Sequence, residues 1–563
     1  MLIKIFFTFI FLIFNLLFTS TQALPLCGNP ISEITSNWIT NPLEFFDYQF
    51  RSFFSLIPKK QSSTKYISTG IESLYNLSEI SEDFDSWLDS EKEIAFQGIL
   101  ANIGGIGITS DDVSPGAVIA SPSKFKPNYF YQWVRDAAIT INSLVEYLQD
   151  HTDDLDSPLA QKLFYAIESY IANNHKLQRL DNKSGTWESL EGFGEPKFMT
   201  TSEPFNENWG RPQRDGPGLR TITIANYINF ILTNKLSISH PDIPNIEYIY
   251  TEIVKPDLTY ITKNWYKNGF DLWEEINSLH LFTSLTMLKA VKSGILLADL
   301  FEDSDFSSSL KLTFTTLKFY ILFESGFKIN DIPYLIETPS LFIQGKRCGL
   351  DIGSVLGSLR AHDMDDLSDL IDIPFSIDDS AVMSTLSALA NDMKYRYPIN
   401  KEGDTFTEGL ALGRYPEDLY DGYGISEGNP WFISTATASE FMFKLVYYLY
   451  LHKKDLVITK DQYKFYYNFI ELDIHIYDEK IVMPYKSDAF IKSTLSLMKY
   501  ADSFLKVIKR HVDENGHMSE QFNKYSGYME GAKDLTWSYG SFWSALRWRN
   551  KASEIIIDNM IRK

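Results

Sequence analysis

Apolar residues recur at helical spacing along most of the chain. Leu163, Ile167, Tyr170 and Ile171 stand at i, i+4, i+7 and i+8, and Leu497, Ala501, Phe504, Leu505 and Ile508 repeat the stripe. Each run predicts an amphipathic helix with one buried face. The same spacing returns near 137–150, 218–234, 280–302, 308–324, 379–395, 431–452 and 534–557, and more ambiguously near 247–267, 350–362 and 461–472. The run "EFMFKLVYYLYL" is apolar almost all round, which predicts a helix covered on more than one side. About a dozen helices result, with no alternation of strand and helix patterns, so the class is mainly α.

No Ser/Thr/Pro-rich linker interrupts these helices and no fixed period marks a solenoid. The expected internal boundary lies near residue 90, where the polar stretch "SEISEDFDSWLDSEKE" precedes the first strong helix. Before it, "MLIKIFFTFIFLIFNLLFTSTQALP" has one Lys, an apolar run from Ile5 to Phe18 and small residues to Ala23. That is the layout of a secretory signal peptide; an uncleaved anchor is the alternative, against which the shortness of the run counts. The organisation expected is a signal peptide at 1–23, an N-terminal extension at 24–90 packed on the remainder, and a helical domain at 91–563. No later window is both long and apolar enough to span a bilayer, so a secreted, soluble protein is expected.

The compartment gives meaning to two small features. The sequons at Asn76 and Asn182 are compatible with glycosylation. Cys27 and Cys348 are the only cysteines and would tie one long loop if they paired, a geometry that sequence cannot establish. This is no disulfide scaffold, and a chain of 563 residues with 44% hydrophobic content can build a large core instead. A formal charge of -21 argues against nucleic acid as a partner. Aromatic residues make up 15% of the chain, a surplus that suits a core and also platforms for sugars.

Between the helices lie irregular stretches rich in Trp, Arg and acids: "YFYQWVRDA", "NWGRPQRDGPGLR", "DLWEEIN", "LGRYPEDLYDGYGISEGNPWF" and "HMSEQFN". Long loops without secondary structure are uncommon unless they have a function. Trp133, Trp209, Trp273, Trp431 and Trp537 each stand within three residues of an Arg, Asp, Glu or Asn, which favours a cleft with aromatic walls over simple core packing. Arg135-Asp136 and Arg211/Arg214-Asp215 suit structural ion pairs or charge-assisted bonds to vicinal hydroxyls, and spacing does not choose between them.

Glycosidic hydrolysis needs one carboxyl to protonate the leaving oxygen and another to act as base or nucleophile. In "DLWEE", burial beside Trp273 and repulsion from the adjacent acid would hold a carboxyl protonated. Adjacent residues rarely point the same way, so Glu274 and Glu275 are not expected to be the pair. Asp418, Glu427 and Glu520 are candidate partners by chemistry. Taken alone, "WEE" also suits a solvated helix start.

Other chemistries find little support. There is no HExxH, no CxxC pair and only nine His, so neither a metal nor any other cofactor is expected. "NIGGIGI" does not complete a phosphate-binding fingerprint, and "DMDDLSDLIDIPFSIDD" lacks the calcium-loop pattern.

Taken together, "ILANIG", "ASPS", "PNYFYQWVRD", "GEPKF", "WGRPQRDGP", "DLWEE", "GRYPEDLY", "GNPWF", "SEQ" and "DLTWSY" resemble, in order and over roughly residues 95–550, the glucoamylases of fungal type, the glucan 1,4-α-glucosidases of glycoside hydrolase family fifteen. The resemblance implies a double-shelled (α/α)6 helical barrel and an inverting exo-hydrolase releasing β-glucose from the non-reducing ends of starch-like α-glucans, possible α-1,6 branches included. It makes Glu274 the general acid and Glu520 the general base. Arg135 and Asp136 match groups that bind the terminal glucose, and Tyr129 the ring that supports an oxocarbenium. Glu275 and Arg414 would contact the leaving side, with Trp133, Trp209, Trp273, Tyr420, Trp431 and Trp537 lining the pocket. The partners implied are α-glucan oligo- and polysaccharides, the protein otherwise being a monomer without nucleic acid or membrane. An inverting pair implies carboxyls about 6.5–9.5 Å apart. No separate starch-binding module is expected, and the segment before residue 90 matches no motif. Rival readings are another inverting glycosidase on a similar barrel and a non-catalytic α-glucan-binding protein.

Overall fold

Why a chain of such helices closes into one body is visible in a computed structural model, which describes residues 64–66, 82–108, 110–401, 408–467, 469–470 and 480–561. The signal peptide at 1–23, Cys27, the Asn76 sequon and most of the extension at 24–90 lie outside the described residues. Twelve helices of ten residues or more stand among the described ones: α1 (Glu82–Ala101), α2 (Val134–Asp150), α3 (Pro158–Gln178), α4 (Asp215–Thr233), α5 (Lys255–Asn264), α6 (Leu281–Leu300), α7 (Ser304–Phe319), α8 (Ile352–Ala361), α9 (Ser380–Arg396), α10 (Phe432–Leu451), α11 (Asp488–His511) and α12 (Thr536–Ile561).

The even-numbered helices form a closed ring. α2 packs on α4, α4 on α6, α6 on α8, α8 on α10 and α10 on α12, and α12 returns to α2. Each odd-numbered helix covers the ring: α3 packs on α2, α5 on α4 and α6, α7 on α6, α9 on α8, α11 on α10 and α1 on α12. This is the double-shelled barrel, and the sequence explains which helix goes where. In α10 every residue except Tyr447 and Leu451 is buried, as its all-round apolar sequence requires. In α11 Leu497, Ala501, Phe504, Leu505 and Ile508 are buried while Lys499 and Lys506 are exposed, so one stripe suffices for the outer shell. Helix α6 does have the length and apolar character to cross a membrane, contrary to expectation; here α4, α7 and α8 cover it.

Two further expectations need correction. Residue 90 falls in the middle of α1, so the polar stretch placed before the first helix is itself helical from Glu82 onward. Phe84 and Leu88 are in the main core, and Trp87 meets Phe542 of α12 with ring centroids 5.7 Å apart. The stripe is hard to see because Glu91 occupies a core position in it. Among its described residues the segment 461–472 contains one α-helical turn, Tyr463–Tyr466. Beside it Leu456–Thr459 pairs antiparallel with Lys480–Met483, whose other edge takes Thr64–Tyr66 in parallel.

Candidate active site

The acid- and Trp-rich stretches share one position in this architecture: each leads into an inner helix. Trp133 precedes α2, the Trp209 loop α4, the "DLWEE" stretch α6, Arg347 α8, the Arg414–Trp431 loop α10, and Glu520 α12. They converge on a cavity of about 570 Å3 at the N-terminal end of the ring. All the catalytic and sugar-binding candidates from Tyr129 to Trp537 line it, Glu274, Glu275 and Glu520 included. Its lining grades from Glu520, 1% exposed, to Trp209 at 39% and Ile425 at 85%, as befits a pocket with a deep end and a rim.

Glu274 and Glu275 sit in the loop of a hairpin whose strands, Gly269–Phe270 and Asn277–Ser278, pair antiparallel. "WEE" is thus a hairpin loop and no helix start. Asp271 Oδ1 ties the loop by accepting from the backbone N–H of Glu275 and Ile276, each at 2.7 Å. Glu274 adopts φ 67°, a left-handed conformation unfavourable for a residue with a Cβ and held by these bonds. Its Oε1 accepts from Trp133 Nε1 at 2.6 Å and Gln213 Nε2 at 2.8 Å, with Arg135 Nη2 3.7 Å away.

Neither neighbour in the sequence acts on Glu274 as expected. The Trp273 indole N–H turns away and donates to Asp351, 3.0 and 3.1 Å from its two oxygens. Glu275 is clamped by Arg414 and Arg347, each at 2.8 Å, and accepts from the Tyr415 hydroxyl. Burial opposes its ionisation, but Arg414, Tyr415 and Arg347 together hold its carboxyl below the ordinary glutamate range. The negative charge beside Glu274 is already neutralised.

Glu520 enters from another hairpin, Gln521–Phe522 against Met529–Glu530. Its backbone N–H donates to Ala532 O at 2.8 Å, and its Oε1 accepts from the Tyr129 hydroxyl at 3.0 Å; Tyr129 is in turn 2.9 Å from the Tyr420 hydroxyl. Tyr129 therefore holds the carboxylate through its OH. Burial pushes Glu520 up to about 8, against the pull of the Tyr129 bond, the Arg414 charge and the Tyr420 bond. Gly531, at φ 74°, leaves room for it: a Cβ there would stand 2.3 Å from Glu520 Oε2.

Arg135 and Asp136 occupy the first turn of α2. Arg135 Nη1 bonds Asp215 at 2.9 Å and Gln213 at 3.0 Å, and its Nε lies 3.6 Å from Asp136 Oδ2. Burial pushes Asp136 up to about 6; Arg135 opposes this, while Glu274 and Asp215 add to it. Arg135 Nε, Asp136 Oδ2, Trp431 Nε1 and Trp537 Nε1 are buried without a hydrogen-bond partner among the described residues. Buried polar atoms are rarely left so, and four in one cavity fit hydroxyl groups of a ligand.

Two of the candidate partner acids fall away. Asp418 is buried in a bidentate pair with Arg414, and Glu427 faces solvent with Tyr525 and Lys524. Sequence reasoning missed Arg347, Tyr415 and Gln213, which touch the two glutamates, and Lys197 of "GEPKF". Lys197 is 1% exposed, its Nζ 3.2 Å from the Trp209 ring centroid and 4.5 Å from that of Trp133; burial lowers it to about 7. A basic residue within a motif was the available signal; the ring cage around it comes from distant segments. Asn182 donates its amide to Gly192 O at 3.0 Å and accepts from the Ser184 and Gly185 N–H groups, so the sequon's nitrogen serves a turn. Cys348, half-buried, bonds Glu417 through its backbone N–H at 2.8 Å.

Residues 93–547 match the sequence family described as Glycosyl hydrolases family 15. The chain is 38% identical over 491 residues to a glucoamylase of Saccharomycopsis fibuligera, covering 84% of this chain and 92% of that one. It is also 38% identical over 485 residues to an intracellular sporulation-specific glucoamylase of Saccharomyces cerevisiae, covering 84% and 85%. The fold superposes on the solved Saccharomycopsis fibuligera glucoamylase with TM-score 0.79 at 37% identity, covering 84% of this chain and 97% of that one. For the Hypocrea jecorina glucoamylase the TM-score is 0.71 at 29% identity, covering 83% and 72%.

Proposed function

Because the chain belongs to glycosyl hydrolases family 15, we propose that Glu274 and Glu520 are its catalytic carboxyls, working on the terminal glucose of an α-glucan. The activity is that of a glucan 1,4-α-glucosidase. The observation that carries the assignment is the meeting of both carboxyls in one cavity with four unsatisfied buried polar atoms.

In this reading the terminal glucose enters the deep end and its hydroxyls bond Asp136, Arg135 and the indole N–H groups of Trp431 and Trp537. Glu274 donates its proton to the glycosidic oxygen as the bond from C1 breaks. Glu520 removes a proton from a water whose oxygen attacks C1 on the opposite face, so β-glucose leaves. Burial strengthens Glu520 as a proton acceptor, and the Tyr129 bond keeps its ionised form within reach. Glu275, Arg414 and Arg347 face the sugar on the leaving side. A pocket whose lining grades from a buried end to an exposed rim supports end-wise attack over cleavage within chains.

One observation favours exchanged roles: burial raises Glu520, while Glu274 Oε1 is surrounded by donors suited to a carboxylate. Hydrolysis of α-glucosyl fluoride separates the readings, because fluoride departs without a proton. Glu274→Gln should lose at least ~100-fold on maltose yet stay within ~10-fold on the fluoride, and Glu520→Gln should lose on both. The opposite pattern exchanges the roles, and near wild-type rates in both variants overturn the pair.

The leader at 1–23 supports secretion of a protein acting outside the cell. N-terminal sequencing of protein from the medium should begin near Leu24; a chain that stays with the membrane fraction and retains Met1 contradicts this.

A further inference from the structure

The inner helices run parallel, so the ring has a second end, and a cavity of about 340 Å3 lies there on the side of their C-termini. Each inner helix or the loop it leads into contributes to its wall: Asp150 from α2, Asn226 from α4, Lys289 from α6, Arg360 from α8, Lys444 from α10 and Trp548 from α12. None of these belongs to the catalytic cavity. The volume is at the low end of the range for small-ligand pockets, about 300–1,000 Å3.

The wall is densely charged, yet each of its cations is already paired with a carboxylate. Arg547 bonds Asp150 at 2.9 Å and approaches Glu146 at 3.5 Å, and Lys551 lies 3.3 Å from Asp150. Arg360 and Lys444 share Glu440, at 2.8 and 3.0 Å, and Lys289 bonds Asp369. With its cations paired the surface calls for no free anion, and an apolar guest would strand its polar atoms. Two donors remain buried without partners among the described residues: Arg360 Nε, and the indole Nε1 of Trp548, which is 5% exposed. They require acceptor oxygens, while carboxylates such as Asp363 stand in the same wall as acceptors. A hydroxyl group accepts from the first and donates to the second without adding charge.

We infer that this axial cavity is a second, non-catalytic binding site for a neutral polyhydroxylated molecule of about monosaccharide size, held by the free N–H groups of Arg360 and Trp548. The inference does not depend on the roles of Glu274 and Glu520. D-glucose, the product of the catalytic site, has the right chemistry and is the probe of choice.

The test is a crystal of the full chain soaked in D-glucose. One hexose should fill the axial cavity with oxygens within hydrogen-bond distance of Arg360 Nε and Trp548 Nε1. Trp548→Phe, which keeps an aromatic ring, should remove that hexose while leaving the catalytic pocket filled and maltose hydrolysis within twofold. Asn229→Trp at the exposed edge of the cavity gives an independent block should the first variant fold poorly. An empty axial cavity beside a filled catalytic pocket overturns the inference. So does a hexose that both variants leave in place, or inorganic phosphate displacing the sugar, which would make the site an anion site.

Discussion

At the scale of single residues the catalytic arrangement hangs on atoms that hold the two glutamates. Gly531→Ala would force a Cβ to within 2.3 Å of Glu520 Oε2 at a backbone angle of φ 74°. Displacing a reacting group by about 1 Å can cost about 100-fold, so kcat on maltose should fall by about that factor while the protein stays folded by circular dichroism. A rate within threefold of wild type would mean that Glu520 does not act from this position. Tyr129→Phe removes a hydrogen bond that favours ionised Glu520. Its carboxyl then rises further, and because the base must be ionised the acid limb of the kcat/KM profile should move up by roughly 1–2 pH units. An unmoved acid limb with a raised alkaline limb would instead assign Glu520 the proton-donating role. Which residues gather at the site was legible in the sequence, because Trp, Arg and acid side chains recur in loops too polar for a core. Their pairwise geometry was not: Trp273 and Glu274 are adjacent in the chain, yet the indole serves Asp351 and the carboxyl is held by Trp133, brought from 141 positions away.

At the scale of elements the ring explains why every functional stretch precedes an even-numbered helix. Parallel inner helices present their N-termini to the catalytic cavity, where the positive ends of their dipoles suit carboxylates such as Asp136 and Asp215 in the first turns of α2 and α4. At the opposite end the dipoles are not answered in the same way: of the inner helices only α8 carries a basic residue in its last turn, Arg360, and α2 ends on the acid Asp150. The apolar pattern accounts for all-round apolar α10 inside and striped α11 outside. It fails at α1, where Glu91 breaks the stripe and exposed Asp83 and Asp89 read as part of a polar boundary. Leu88 is 4% exposed in the common core. Leu88→Ala should therefore cost about 2–5 kcal/mol, read as a lower midpoint in urea unfolding of the whole chain. An unchanged midpoint would restore a boundary at residue 90.

At the scale of the whole molecule, burial of acids makes stability depend on pH. Glu91 is pushed up to about 8, first by burial and then by Asp513. A carboxyl raised on folding binds its proton more tightly in the native state, so its contribution is fully present below the ordinary value of 4.5 and is lost as pH rises towards 8. Glu91→Gln should flatten that decline, leaving the variant at least ~2 °C more stable than wild type at pH 8 by scanning calorimetry. A parallel shift at all pH values would show that the charge of Glu91 is not responsible. Eleven of the twelve long helices and their class were readable from periodicity, α1 being the exception, whereas closure of the ring was not, because it depends on α12 meeting α2 across the length of the chain.

The central claim is that Glu274 and Glu520 hydrolyse the terminal link of an α-glucan with inversion. A proton NMR time course of the purified protein with maltotetraose tests it most directly. The account predicts that β-glucose appears first, together with maltotriose. Initial α-glucose would mean retention, with a carboxylate attacking C1 in place of water, and would contradict the mechanism.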